Sequence, residues 1–142
     1  MPFDKSQFKN LISRTLNENN LYSDSAVNLL LGTAAQESQF GTYLKQLGAG
    51  PALGVFQMEE PTFNWLKKVY VPKYQIGEFA ELEYNLKQAI LLCRLRYQIV
   101  PEPLPAADDI EGLARYWKHY YNTLAGKGKV TEFISNYNKY VS

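Results

Sequence analysis

Apolar residues recur along this chain at helical rather than strand spacing. Phe8, Leu11, Ile12, Thr15 and Leu16 mark a first helix, with Asp4 or Ser6 as its cap and Asn17-Glu18-Asn19-Asn20 at its end. Ser23, Asp24 and Ser25 offer caps for a second, which runs through Leu29, Leu30, Leu31, Ala34 and Ala35 to Gln36-Glu37-Ser38, with Gly41 as its stop. Thr42 to Leu47 reads as a further short turn of helix, and Gly50 to Met58 as a small extended hairpin or an irregular loop. Pro61 suits the first turn of the next helix, which carries Phe63, Trp65, Leu66 and Val69 and stops at Pro72, with Trp65 read as packing. From Leu82 the positions Leu82, Leu86, Ala89, Ile90, Cys93 and Tyr97 form one apolar face, and Leu91, Leu92 and Leu95 make other faces apolar too. That is the best candidate for a central buried helix.

Pro101, Pro103 and Pro105 break the pattern and form a stiff connector. Asp108 and Asp109 then cap a helix with Ile110, Leu113, Ala114, Trp117 and Tyr121 on its inner face. Val130, Phe133, Ile134, Tyr137 and Val141 mark the last helix, after a turn rich in glycine and lysine. That turn lacks the strand context and spacing of a phosphate loop. The pattern predicts a mainly α fold: a single domain over residues 1–142, a helical bundle with at most a small β-hairpin.

Composition narrows the function. A length of 142 residues with 46% hydrophobic and 20% charged side chains describes a globular domain with a core of its own. The formal net charge of +1 argues against a nucleic-acid partner, which needs clustered and unbalanced Lys and Arg. It leaves room for a neutral polymer or a glycan. The chain has 11 tyrosines, whose flat apolar faces and hydroxyls match the C–H faces and hydroxyls of sugars. Cys93 is the single cysteine, so no disulfide forms within the chain and a reducing cytosol is tolerated. His119 is the only histidine and has no cysteine cluster beside it. Neither a metal nor a cofactor is expected. The start lacks the pattern of a secretory signal, and no apolar run reaches membrane-spanning length, so direct membrane insertion is not expected. Nothing in the pattern points beyond a monomer.

The candidate chemistry sits at the end of the second helix. Glu37 follows an apolar run and occupies the last turn, where desolvation and the carbonyl end of the helix both disfavour a charged carboxylate. A carboxylic acid still protonated near neutral pH can act as a general acid. On position alone, a solvated glutamate at a helix end is the commoner outcome. The segment that follows changes this: Gly48, Gly50, Pro51 and Gly54 lead into Val55-Phe56-Gln57-Met58, an irregular, closely approached backbone that reads as the wall of a cleft.

Glu37-Ser38, followed by Gly54-Val55-Phe56-Gln57-Met58 with Pro61-Thr62 in step, resembles the glutamate-serine and glycine-x-x-glutamine signatures of the lytic transglycosylase and goose-type lysozyme superfamily, its phage-encoded branch above all. Asn85-Leu86 with Ala89 resembles that family's next helix, with alanine where the family often has glycine. Tyr121-Asn122 ahead of Gly126-Lys127-Gly128-Lys129-Val130 resembles its tyrosine-asparagine motif, with a two-residue insertion at Thr123-Leu124. The resemblance implies a lysozyme-like helical fold with a cleft. It implies cleavage of the β-1,4 bond between N-acetylmuramic acid and N-acetylglucosamine, with bacterial peptidoglycan as partner and Glu37 as the catalytic acid. Ser38, Gln57, Phe56, Tyr43, Tyr121 and Asn122 are the implied substrate-binding residues.

A transglycosylase that forms 1,6-anhydro products needs only Glu37, whereas a hydrolytic lysozyme needs a second carboxylate, for which Glu59 and Glu60 are nearest in sequence. A non-catalytic glycan-binding or virion-structural module, and a helical interaction domain with chance matches, are the remaining readings. A phage enzyme of this kind is expected in the host cytoplasm until a separate membrane pore protein releases it to the wall, or in the virion.

Overall fold

The computed structural model describes residues 1–122 and 126–142, so the expected insertion at Thr123-Leu124 lies outside the described residues. Six α-helices make up most of it: α1 (Lys5–Glu18), α2 (Asp24–Ser38), α3 (Glu60–Tyr70), α4 (Leu86–Gln98), α5 (Ile110–Trp117) and α6 (Val130–Tyr140). The β-structure among the described residues amounts to two isolated bridges, Lys45 with Leu53 and Leu53 with Met58. The expected hairpin is thus reduced to single pairings.

Local capping sets the helix starts. Asp4 accepts the Gln7 amide at 3.0 Å, Ser23 the Ala26 amide at 3.0 Å and Asp109 the Gly112 amide at 2.9 Å. Each satisfies a donor that the first helical turn leaves open. The helix expected from Leu82 begins instead at Leu86, because Asn85 takes the cap and accepts the Gln88 amide. Leu82 is buried in a 3₁₀ turn over Phe79–Glu83. Similarly, Thr42 to Leu47 is not helical; a short 3₁₀ turn follows at Leu47–Ala49.

α2 lies at the centre, packed against α1, α4, α5 and α6. Its whole length from Ala26 to Ala35 is buried apart from Asn28, as an all-round apolar helix requires. α6 approaches closely at Gly32, where a Cβ would overlap the Phe133 ring. The Thr33 hydroxyl donates to the Leu29 carbonyl and pairs with the Tyr97 hydroxyl at 2.7 Å, tying α2 to α4. Cys93 is fully buried in the same core. α4 also carries Arg94, a buried charge in a stretch that reads as apolar; its Nε donates to the Leu21 carbonyl at 3.0 Å. Trp65, expected to pack, is 45% exposed, because α3 lies at the rim and buries only Phe63 and Leu66 fully.

Candidate functional site

The end of α2 is locked in place. Gln39, not Gly41, takes the left-handed cap with φ 49°, and Phe40 and Gly41 continue in left-handed backbone at φ 59° and 84°. Such a run costs energy in non-glycine residues and persists only where packing over-determines it. Here Phe40 is buried between Phe8 and Tyr140, with ring centroids 5.3 and 6.1 Å away. Ser38 holds the turn from inside: its hydroxyl donates to the Ala34 carbonyl at 3.1 Å and accepts the Gly41 amide at 2.9 Å. Ser38 is fully buried and engaged with backbone, which is the backbone-bonding alternative for this residue and leaves it out of the groove lining.

Glu37 thus projects from a stiff support. The indole Nε1–H of Trp117, at the end of α5, donates to Glu37 Oε2 at 2.9 Å. No other hydrogen bond engages that carboxyl among the described residues, none of which donates to its second oxygen. Burial pushes the Glu37 pKa up from 4.5 to about 7, and the Trp117 hydrogen bond, which favours the charged form, offsets only part of that. Near neutral pH the group is therefore split between acid and carboxylate.

Glu37 opens into a hollow of about 580 Å³, whose walls include Gln36, Tyr43, Gln57, Glu59, Asn122 and Lys127. A second hollow of about 240 Å³ adjoins it and contains Arg96, Thr62 and Tyr121. Gln57, Glu59 and Asn122 line both, so the two form one open groove. It is predominantly polar in its named side chains.

The loop facing Glu37 is tightly made. Leu53 and Met58 exchange both backbone hydrogen bonds at 3.0 Å, and Gly54 between them has φ 86°. A Cβ at Gly54 would overlap the Leu82 carbonyl, so both conformation and space demand glycine. Gln57 donates its side-chain amide back to the Gly54 carbonyl at 2.9 Å, while its amide oxygen accepts from no described residue. Gln57 does not bond Glu37; Trp117 has that role.

Phe56 is 2% exposed and stacks on Phe8 at 6.3 Å between centroids. It was expected to line the cleft, and its ring instead fills the core, where the adjacent Val55 is buried as well. Its carbonyl does contribute: the Tyr121 hydroxyl donates to it at 2.6 Å. Tyr121 therefore braces the loop from the opposite wall. It lies on a π-helical turn, Lys118–Asn122, that continues α5 and so brings Tyr121 and Asn122 to the groove. Asn122 is itself held, its Oδ1 accepting from Lys118 Nζ at 2.8 Å. Tyr43 lines the Glu37 hollow. Of the two further carboxylates, Glu59 lines both hollows and Glu60, exposed in the first turn of α3, lines neither.

Two contributors escape sequence reasoning. Trp117 reads as a core residue, and it is fully buried, but a buried indole N–H needs an acceptor and here takes the acid. That need was the available signal; the partner 80 positions away was not. Arg96 sits among leucines on a helix read as core, so nothing marked it as a groove residue. Among the described residues no group of three or more His, Cys, Asp or Glu could hold a metal ion, and no helix is long and apolar enough to cross a membrane. Comparison with protein-family models, curated proteins and solved structures finds no match to this chain.

Proposed function

We propose that the protein is a glycosidase that cleaves the β-1,4 bond between N-acetylmuramic acid and N-acetylglucosamine in bacterial peptidoglycan, as a lytic transglycosylase. The observation that carries this reading is the half-buried Glu37, its pKa raised to about 7, in the floor of a polar groove. The ordered motifs around Glu37, Gln57, Asn85 and Tyr121-Asn122 supply the substrate class by family resemblance. The mainly helical architecture is compatible with a lysozyme-like fold whose cleft is this groove.

Protonated Glu37 donates its proton to the glycosidic oxygen as the bond to muramyl C1 breaks. The carboxylate so formed takes the proton of the muramyl 6-hydroxyl, whose oxygen closes on C1. The products are a 1,6-anhydromuramyl end and a new N-acetylglucosamine 4-hydroxyl, and Glu37 returns to its protonated form. One carboxylate suffices. Trp117 keeps the carboxyl oriented for both steps, and the Gln57 amide oxygen and Tyr43 hydroxyl are available to substrate N–H and hydroxyl groups. Phage-mediated lysis is the proposed setting, with release to the wall by a separate pore protein or delivery with the virion.

One observation favours a second reading. Glu59 lines the same hollow as Glu37, and a second carboxylate roughly 6.5–9.5 Å from the acid would activate water and give hydrolysis with inversion. Mass spectrometry of soluble products from purified peptidoglycan decides. Anhydromuropeptides that vanish with Glu37→Gln are expected; reducing-end muropeptides would make the enzyme a hydrolase. The absence of any Glu37-dependent product would overturn the enzymatic reading in favour of a glycan-binding or virion-structural module.

A further inference from the structure

The groove continues past the acid into the 240 Å³ hollow, and there its character changes. Arg96 from α4 and Glu59 from the start of α3 both line it, along with Thr62, Tyr121 and Asn122. The three ion pairs among the described residues, Lys67–Glu78, Lys87–Glu18 and Arg115–Glu111, involve neither Arg96 nor Glu59. Two opposite charges thus face one small space without neutralising each other. Arg96 lies over the exposed Trp65 ring, with its guanidinium carbon 5.7 Å from the centroid. A guanidinium over an aromatic ring retains N–H groups for a bidentate acceptor. This gives Trp65 a role that its position at the rim would not.

On bare glycan strands N-acetylglucosamine carries no charge and N-acetylmuramic acid carries only its lactyl carboxylate. A ligand bearing only a carboxylate gains from Arg96 and loses to Glu59, whereas a ligand bearing a carboxylate and an ammonium group is matched at both ends. Building on the peptidoglycan-cleaving reading above, we propose that this hollow receives a peptide arm of the wall polymer, with Arg96 binding its carboxylate and Glu59 its ammonium group. Gln57, Glu59 and Asn122 line both hollows, so an arm carried by a muramyl unit beside Glu37 enters the second hollow without leaving the groove. Arg96 then selects peptide-bearing strands over bare glycan.

The test compares glycan strands that carry their peptides with the same strands after enzymatic removal of the peptides. The wild-type kcat/KM is expected to be about tenfold higher on the peptide-bearing strands, the worth of one charged hydrogen-bonded contact. Arg96→Gln brings that ratio close to one, and Arg96→Lys, which keeps the charge, restores part of it. Equal rates on both substrates in the wild type, or an undiminished ratio in Arg96→Gln, would overturn the subsite while leaving the glycosidase intact. Should neither substrate give a Glu37-dependent product, the glycosidase reading is the one that fails. The subsite is then decided by calorimetric titration with a soluble disaccharide-peptide and the disaccharide alone. Tighter binding of the peptide form that is lost in Arg96→Gln supports it; equal binding overturns it.

Discussion

Glu37 and Glu59 line the same hollow and have opposite surroundings. Glu37 stands in the last turn of α2, half-buried at the edge of the hollow, with a single donor from Trp117 among the described residues. Glu59 stands at the N-cap of α3, exposed to water and at the helix end that favours negative charge. Chemically identical side chains are thus prepared for different tasks by which end of a helix they occupy and how much water they keep. The first holds its proton to higher pH than an ordinary carboxyl, and the second keeps its carboxyl group in contact with water.

The contrast is broken most severely at Glu37. Glu37→Gln keeps shape and hydrogen-bonding capacity but has no proton to give, and cleavage is expected to fall about a thousandfold in a muropeptide-release assay, with unchanged circular dichroism. The same substitution alters stability against pH. The folded-state pKa of Glu37, about 7, lies above its ordinary value of 4.5, so the folded state holds the proton more tightly than the unfolded state does. Stability is therefore full below pH 4.5 and declines as pH rises through 7, by up to about 3 kcal/mol. Denaturant titrations across this range should show that decline in the wild type and lose Glu37's contribution to it in Glu37→Gln.

Trp117→Phe is the next largest. It removes the one donor to Glu37 while keeping an aromatic ring, and about tenfold of the rate is expected to go with the lost orientation. Because that donor favours the carboxylate, its loss raises the Glu37 pKa further. The alkaline limb of the pH–rate profile moves upward, a shift that a purely structural defect would not give. Tyr121→Phe frees the loop at the Phe56 carbonyl; about 1 kcal/mol of stability and a severalfold loss of rate are expected from thermal melts and kinetics. Glu59→Gln is smallest on peptide-free strands, less than about twofold if the muramyl hydroxyl attacks. A loss there of about a hundredfold or more would make Glu59 a catalytic base and the reaction a hydrolysis.

What the sequence discloses about these two acids follows from distance along the chain. The caps at Asp4, Ser23 and Asp109, the apolar length of α2 and the place of Glu37 at its end are local, and each is legible from a few neighbouring residues. Leu82 was misassigned to α4 because apolar periodicity runs on past a cap; Asn85, three positions later, ends the ambiguity only once its bond to the Gln88 amide is seen. Beside Glu37 and Gln57 in sequence, Ser38 is open to either a substrate contact or a backbone hydrogen bond and Phe56 to a place in the cleft wall; tertiary packing decides both. Ser38 is buried within the last turn of α2, and Phe56 packs on Phe8. Trp117 and Arg96 depend on contacts between separate helices, which no local pattern encodes. Local sequence places Glu37 at the end of α2 ahead of the Gly54 loop, and tertiary packing decides what holds them.

The difference between the two carboxylates can be measured without substrate. With carbon-13 in the glutamate carboxyls, NMR titration of the wild type, with Glu37→Gln and Glu59→Gln to assign the resonances, gives the ionisation midpoint of Glu37 directly. A midpoint near 7 is expected. A midpoint near 4.5 would mean that Glu37 is a charged carboxylate at neutral pH, and the groove would have no proton to give.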